Sequence, residues 1–174
     1  MAENINCPHC QRQLRLPEEL LGQLVKCPAC GSAYPLLVQP LITKYGQKIR
    51  LEFKHFPLTT IHAHALSEAE AAECAADQGK FWEFLDLAYT KQAEWTSDAP
   101  RQWASSLGMD LSIFDRCTAS RIKRDEIMAE EEEGKKAGVQ GTPTFFINGK
   151  VVENDINALT KAIDEALVQT TQRL

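Results

Sequence analysis

The rhythm of apolar and polar residues changes along this chain, and each change marks an element. Residues 1–35 hold no long aliphatic run. Residues 36–47, Leu-Leu-Val-Gln-Pro-Leu-Ile-Thr-Lys-Tyr-Gly-Gln, read as a helix that ends at Gly46, a residue suited to the left-handed C-terminal position, with Pro40 in or near it as a kink. Ile49 to Phe56 alternates apolar and polar, which predicts a strand ended by Pro57. From Ser67 to Gly138 the pattern is helical. Ser67-Glu-Ala-Glu70 reads as a capping box opening an alanine-rich helix, and Gly79 interrupts it. Phe81, Trp82, Phe84, Leu85 and Leu87 then supply a broad apolar face. Asp98-Ala-Pro100 predicts a further helix ended by Gly108, and Asp110 or Ser112 opens another that runs to about Gly134. Thr144 to Ile147 reads as a short strand, Asn148-Gly149 as a tight turn and Lys150 to Val152 as the returning strand. A helix over Asn157 to Leu167 closes the chain.

The order helix, strand, helical block, hairpin, helix predicts an α/β architecture with helices inserted into a small sheet. Its expected division is a domain over 1–35 and a second over 36–174, with the helical insert at about 67–138.

Composition narrows the class. Of 174 residues, 44% are hydrophobic and 25% charged, an ordinary globular balance. The net charge of −5 argues against broad electrostatic binding of nucleic acid, which needs a basic face. No apolar run approaches the ~18 residues of a membrane span. The first residues, Met-Ala-Glu-Asn-Ile-Asn-Cys, lack a secretory pattern. The expected compartment is therefore the cytoplasm, where thiols stay reduced. Six cysteines there read as ligands, catalytic thiols or core residues rather than structural disulfides.

Four of them form two knuckles, Cys7-Pro-His-Cys10 and Cys27-Pro-Ala-Cys30, with sixteen residues between. A segment this short cannot stabilise itself by burial alone and needs a staple. Two tight turns that each offer two thiolates provide the tetrahedral set a structural Zn2+ takes, so Cys7, Cys10, Cys27 and Cys30 are the expected ligands. Val25-Lys26 and Ala33-Tyr34 read as the strand ends of such a ribbon. The stretch from Ile5 to Gly31 resembles small bacterial zinc ribbons.

A second motif lies far downstream. Val139-Gln-Gly-Thr142-Pro143-Thr-Phe-Phe-Ile-Asn-Gly149 resembles the cis-proline loop and final hairpin of the DsbA-like branch of the thioredoxin superfamily. Ile49 to Leu58 resembles that family's second strand and turn, and Ala75 to Asp86 its helical insert. The resemblance implies a thioredoxin-like sheet with a helical insertion, here preceded by a small zinc ribbon. It also implies thiol–disulfide exchange on protein substrates. Cys27 would attack, Cys30 would resolve, and Thr142-Pro143 would hold the substrate chain through a cis bond, with Pro143 opening a strand of the central sheet.

Cys27 and Cys30 thus carry two readings, zinc ligands or redox pair. Residues 17–26 make a poor buried strand and suit a ribbon, as though a ribbon replaced the family's first strand. The alternative function is a redox-inactive thioredoxin-like binding module whose ribbon contacts a protein partner. Cys74 and Cys117, among apolar neighbours, read as small core residues; a disulfide between them requires Cα atoms within about 7 Å. His55, His62 and His64 read as a solvated helix start, and Glu130 to Glu133, opposed by Lys135 and Lys136, as a solvated face.

Overall fold

A computed structural model describes residues 2–6, 13–17, 24–26, 33–35, 38–91 and 95–171. The chain divides into two compact units. One comprises residues 1–52 and 143–174, the other Phe53–Thr142.

The first unit contains three antiparallel strand pairs. β1 (Ala2–Asn6) pairs with β2 (Gln13–Pro17), and β3 (Leu24–Lys26) with β4 (Ala33–Pro35). The third pair, β5 (Phe145–Ile147) and β6 (Lys150–Val152), joins through Asn148 and Gly149 at φ 48° and 79°. Positive φ at both positions is what a two-residue hairpin turn demands, and it explains the Asn-Gly sequence. β5 begins at Phe145, two residues after Pro143. α1 (Val38–Tyr45) ends at Gly46, whose φ of 52° leads into a 3₁₀ turn over Gly46–Lys48. α7 (Ile156–Thr171) is capped by Asp155, whose carboxylate accepts from the backbone of Asn157 and Ala158.

The core of this unit is Leu41 and Tyr45 of α1 against Leu159 and Ile163 of α7, with Phe145, Ile147 and Val152 of the hairpin beside them. Tyr45 adds a polar clamp. Its hydroxyl donates to Asp164 Oδ1 at 2.8 Å, with the Thr160 carbonyl at 3.1 Å, and Lys44 Nζ reaches Asp164 Oδ2 at 3.3 Å. The hydrogen bond from Tyr45, helped by Lys44, holds the Asp164 carboxyl below its ordinary value.

The regular elements described in the second unit are all helices: α2 (Ala65–Ala76), α3 (Phe81–Thr90), α4 (Ala99–Ser106), α5 (Leu111–Ser120) and α6 (Arg124–Lys136). Its core gathers Ala71, Ala72, Cys74 and Ala75 of α2 with Phe84, Trp103 and Phe114 from three other helices. Gly79 and Gly108, at φ 68° and 70°, turn the chain where helices were expected to stop. Asp110 caps α5 by accepting from Ser112 and Ile113 N–H.

Several sequence expectations need correction. Ile49 to Phe56 is not a strand. Alternation sets sidedness but not pairing: His55 is buried and Lys54 exposed, yet no neighbouring strand pairs with the segment among the described residues. Among the described residues the strands form two-stranded pairs beside a mostly helical content, consistent with a small sheet. Ser67 does not cap α2, which starts at Ala65; its hydroxyl donates back to the His64 carbonyl. Glu70 is 4% exposed and pairs with Arg121 at 3.3 Å instead of closing a box. The helix expected from Asp110 to Gly134 breaks at Arg121, which adopts φ 55°. Cys74 and Cys117 are not free core thiols. Packing of α2 on α5 brings their Cα atoms to 5.8 Å, and the sulfurs are bonded.

Two outcomes follow. The disulfide closes a loop across a separation of 43 residues. In the chain-entropy account such a loop contributes about 4 kcal/mol. Replacing both cysteines by alanine should lower unfolding free energy by that order. Fluorescence during urea unfolding reads this unit alone, because Trp82, Trp95 and Trp103 all lie in it; an unchanged midpoint would refute the contribution. The second outcome concerns acid. A carboxyl whose pKa is lower folded than unfolded stabilises above its unfolded value and loses that effect as pH falls through the folded one. Asp164 should therefore titrate below an ordinary aspartate by carboxyl NMR, and Tyr45→Phe should move its midpoint upward.

Candidate thiol site

Two strand pairs of the first unit flank the cysteine knuckles in the sequence. In the β1–β2 pair Asn6 lies opposite Gln13, and in the β3–β4 pair Lys26 lies opposite Ala33. In the sequence each knuckle falls between two paired strands, and the stretches Val25-Lys26 and Ala33-Tyr34 lie in strands. Cys7, Cys10, Cys27 and Cys30 themselves lie outside the described residues. Among the described residues no group of three or more His, Cys, Asp or Glu side chains could hold a metal.

A thiol pair at a helix N-terminus gains thiolate character from the helix dipole and free N–H groups. Here the residues that follow Cys30 lead into β4, and α1 begins only at Val38.

Thr142 and Pro143 are both exposed, in a bend that precedes β5. Thr142 is the last residue of the helical unit and Pro143 the first of the returning segment of the other. Along the hairpin, Phe145, Ile147 and Val152 pack into the unit's core, while the cross-strand pair Phe146 and Val151 stays 38% and 62% exposed. The hairpin after the bend therefore leaves one apolar face unburied.

The sequence reading missed one polar centre. His55 was expected in solvent, but it is buried. Its Nε2 lies 2.9 Å from Glu73 Oε1 of α2, its backbone N–H donates to Glu130 Oε2 of α6 at 2.7 Å, and the rings of Phe53 and Phe81 stand edge-on to it. Lys54 pairs with the other oxygen of Glu130 at 3.1 Å. Glu130 thus leaves the charge run that was read as solvated, whereas Lys135 and Lys136 do pair with Glu131 and Glu132 one turn back. The signal available was alternation: His55 shares the inward side with Phe53. His62 and His64 are exposed as expected, and His64 stacks on Trp95.

Comparison with known proteins decides the ancestry. A family described as thioredoxin matches residues 23–165. The chain belongs to this thioredoxin family. The match covers Cys27, Cys30, Thr142 and Pro143, and begins after Cys7 and Cys10. Among curated relatives, the chain is 38% identical over 150 residues to a protein named Na(+)/H(+) antiporter NhaA 1 from Salinispora arenicola, covering 85% of this chain and 23% of that one. A protein named Na(+)/H(+) antiporter NhaA from Herminiimonas arsenicoxydans is 29% identical over 116 residues, covering 67% of this chain and 18% of its own. The chain thus spans less than a quarter of the length of these relatives. No solved structure matches it.

The His55 centre predicts a mutational signature. Glu73→Ala removes the acceptor from a buried imidazole, which should cost about 1–3 kcal/mol in the tryptophan-monitored urea transition. Glu73→Gln keeps an acceptor in place and should cost less. Equal behaviour of both variants with wild type would show that the pair contributes nothing.

Proposed function

We propose that this thioredoxin-family chain is a DsbA-like thiol–disulfide oxidoreductase that uses Cys27 and Cys30. The observation that carries the reading is the extent of the family match, which encloses the second knuckle and the Thr142-Pro143 bend together and leaves the first knuckle outside. Cys27 as thiolate attacks a substrate disulfide, forms a mixed disulfide and releases one substrate thiolate. Cys30 then attacks the Cys27 sulfur, releases the second substrate thiol and leaves a Cys27–Cys30 disulfide. The reverse sequence oxidises a substrate dithiol. Thr142 and Pro143 hold the extended substrate chain. Protein thiols and disulfides are the substrate class. Ion transport is not part of the proposal, and no described helix is long and apolar enough to cross a membrane.

The strand pairs favour a second reading. With β3 before it and β4 after it, the Cys27–Cys30 knuckle matches the Cys7–Cys10 knuckle between β1 and β2. Four thiolates on two such turns are the donor set of a structural Zn2+, which would tie the N-terminal strands together. The chain would then be a redox-inactive thioredoxin-like module whose ribbon contacts a protein partner.

One experiment separates them. Protein purified without chelator is assayed for zinc and for insulin reduction, before and after chelation. The oxidoreductase reading expects exchange that disappears in Cys27→Ser and survives Cys74→Ser and Cys117→Ser. Absence of exchange in both forms, with one zinc per chain, rejects it in favour of the binding module.

A further inference from the structure

The Cys74–Cys117 disulfide has no part in the exchange proposed for Cys27, yet its two residues differ in burial. Cys74 is 1% exposed, on the face of α2 that packs into the core with Ala71, Ala75, Phe84 and Phe114. Cys117 is half-buried at the border of the same core, three residues before α5 ends at Ser120. Beyond it Arg121 turns with positive φ and Ile122 is 71% exposed.

A disulfide opens when a thiolate reaches one of its sulfurs, and the other sulfur departs with the electron pair. Access decides which sulfur is attacked, even where burial makes the other the poorer leaving group. Solvent barely reaches Cys74, whereas Cys117 stands at the edge. We propose that the Cys74–Cys117 bond is a one-sided thiol–disulfide site, in which Cys117 accepts a small flexible thiol of the glutathione class and Cys74 is the leaving group.

A thiolate RS− bonds to Cys117 Sγ, the Cys74–Cys117 bond breaks, and Cys74 Sγ leaves as thiolate with the electron pair, to take up the proton that RSH gave up on forming RS−. A second RS− attacks the RS sulfur on Cys117. RSSR departs and Cys117 is released as a thiol once protonated. Two small thiols are oxidised and one protein disulfide is reduced. The first product places a charge at Cys74 among methyl groups and phenyl rings, which is unfavourable. Cys74 therefore attacks back, and the folded unit recloses its bond. The half-burial of Cys117 selects for a small attacker, since a thiol fixed on another protein's surface has less freedom to enter.

The test uses the full chain. Native Cys74→Ser and Cys117→Ser proteins are exposed to oxidised glutathione, and the adducts are located by peptide mass mapping, which separates them from any at the four N-terminal cysteines. Cys117 should be modified in the native state, and Cys74 about tenfold or more slowly until urea is added, because reactivity follows thiolate character and access. Comparable rates, or native Cys117 left unmodified, overturn the proposal. Should either variant fail to fold, wild-type protein reduced by a phosphine and pulsed with a maleimide replaces it. Labelling of Cys117 ahead of Cys74 supports the site; the reverse order, equal labelling, or a bond that resists the phosphine in the native state overturns it.

Discussion

The small side chains along one face of α2 set the spacing on which the helical unit depends. Ala71, Ala72 and Ala75 are between 0% and 2% exposed, so nothing larger than a methyl group stands between this helix and its neighbours there. Large rings, Phe84, Trp103 and Phe114, come from the surrounding helices and interlock over that flat face. The close approach is also what lets Cys74 reach α5. The same helix carries, on its remaining sides, the two carboxylates that organise charge in the unit: Glu73 facing His55, and Glu70 facing Arg121. One helix thus supplies the packing surface, the covalent link and both polar anchors.

Much of this was legible in the residues because local chemistry dictates it. Gly79 and Gly108 sit where the chain needs positive φ, Asp110 has its cap partners two and three residues away, and Asn148-Gly149 suits a single turn geometry. What escaped the sequence depends on distant partners. Residues 49–56 alternate like a strand, but a strand exists only with another strand to bond to. Glu70 stands at capping-box spacing from Ser67, yet the guanidinium of Arg121, 51 residues away, takes its carboxylate. Arg121 itself holds a backbone conformation uncommon for a residue with a Cβ, and no propensity marks that position in advance. The pairing of Cys74 with Cys117 likewise follows from how α2 meets α5, which spacing alone does not fix.

At the candidate site the sequence names the donors but not their partners. Two Cys-Pro-x-Cys knuckles carry the same local signal, and a thiolate is both ligand and nucleophile. Both knuckles fall between paired strands in the sequence, while the family match includes the second and not the first. Those observations bear on the same two cysteines, on which the two proposed readings divide.

The division of the chain into one continuous and one split unit has a consequence for biosynthesis. Phe53–Thr142 is uninterrupted, and every partner of its core is present once Thr142 has been made. The other unit's core joins Tyr45 to Thr160 and Asp164, more than a hundred positions later. As the ribosome delivers the chain from its N-terminus, the inserted helices can settle first, while α1 waits with its apolar side uncovered until the last helix emerges. The interval between those two events is when the nascent chain most needs protection from aggregation.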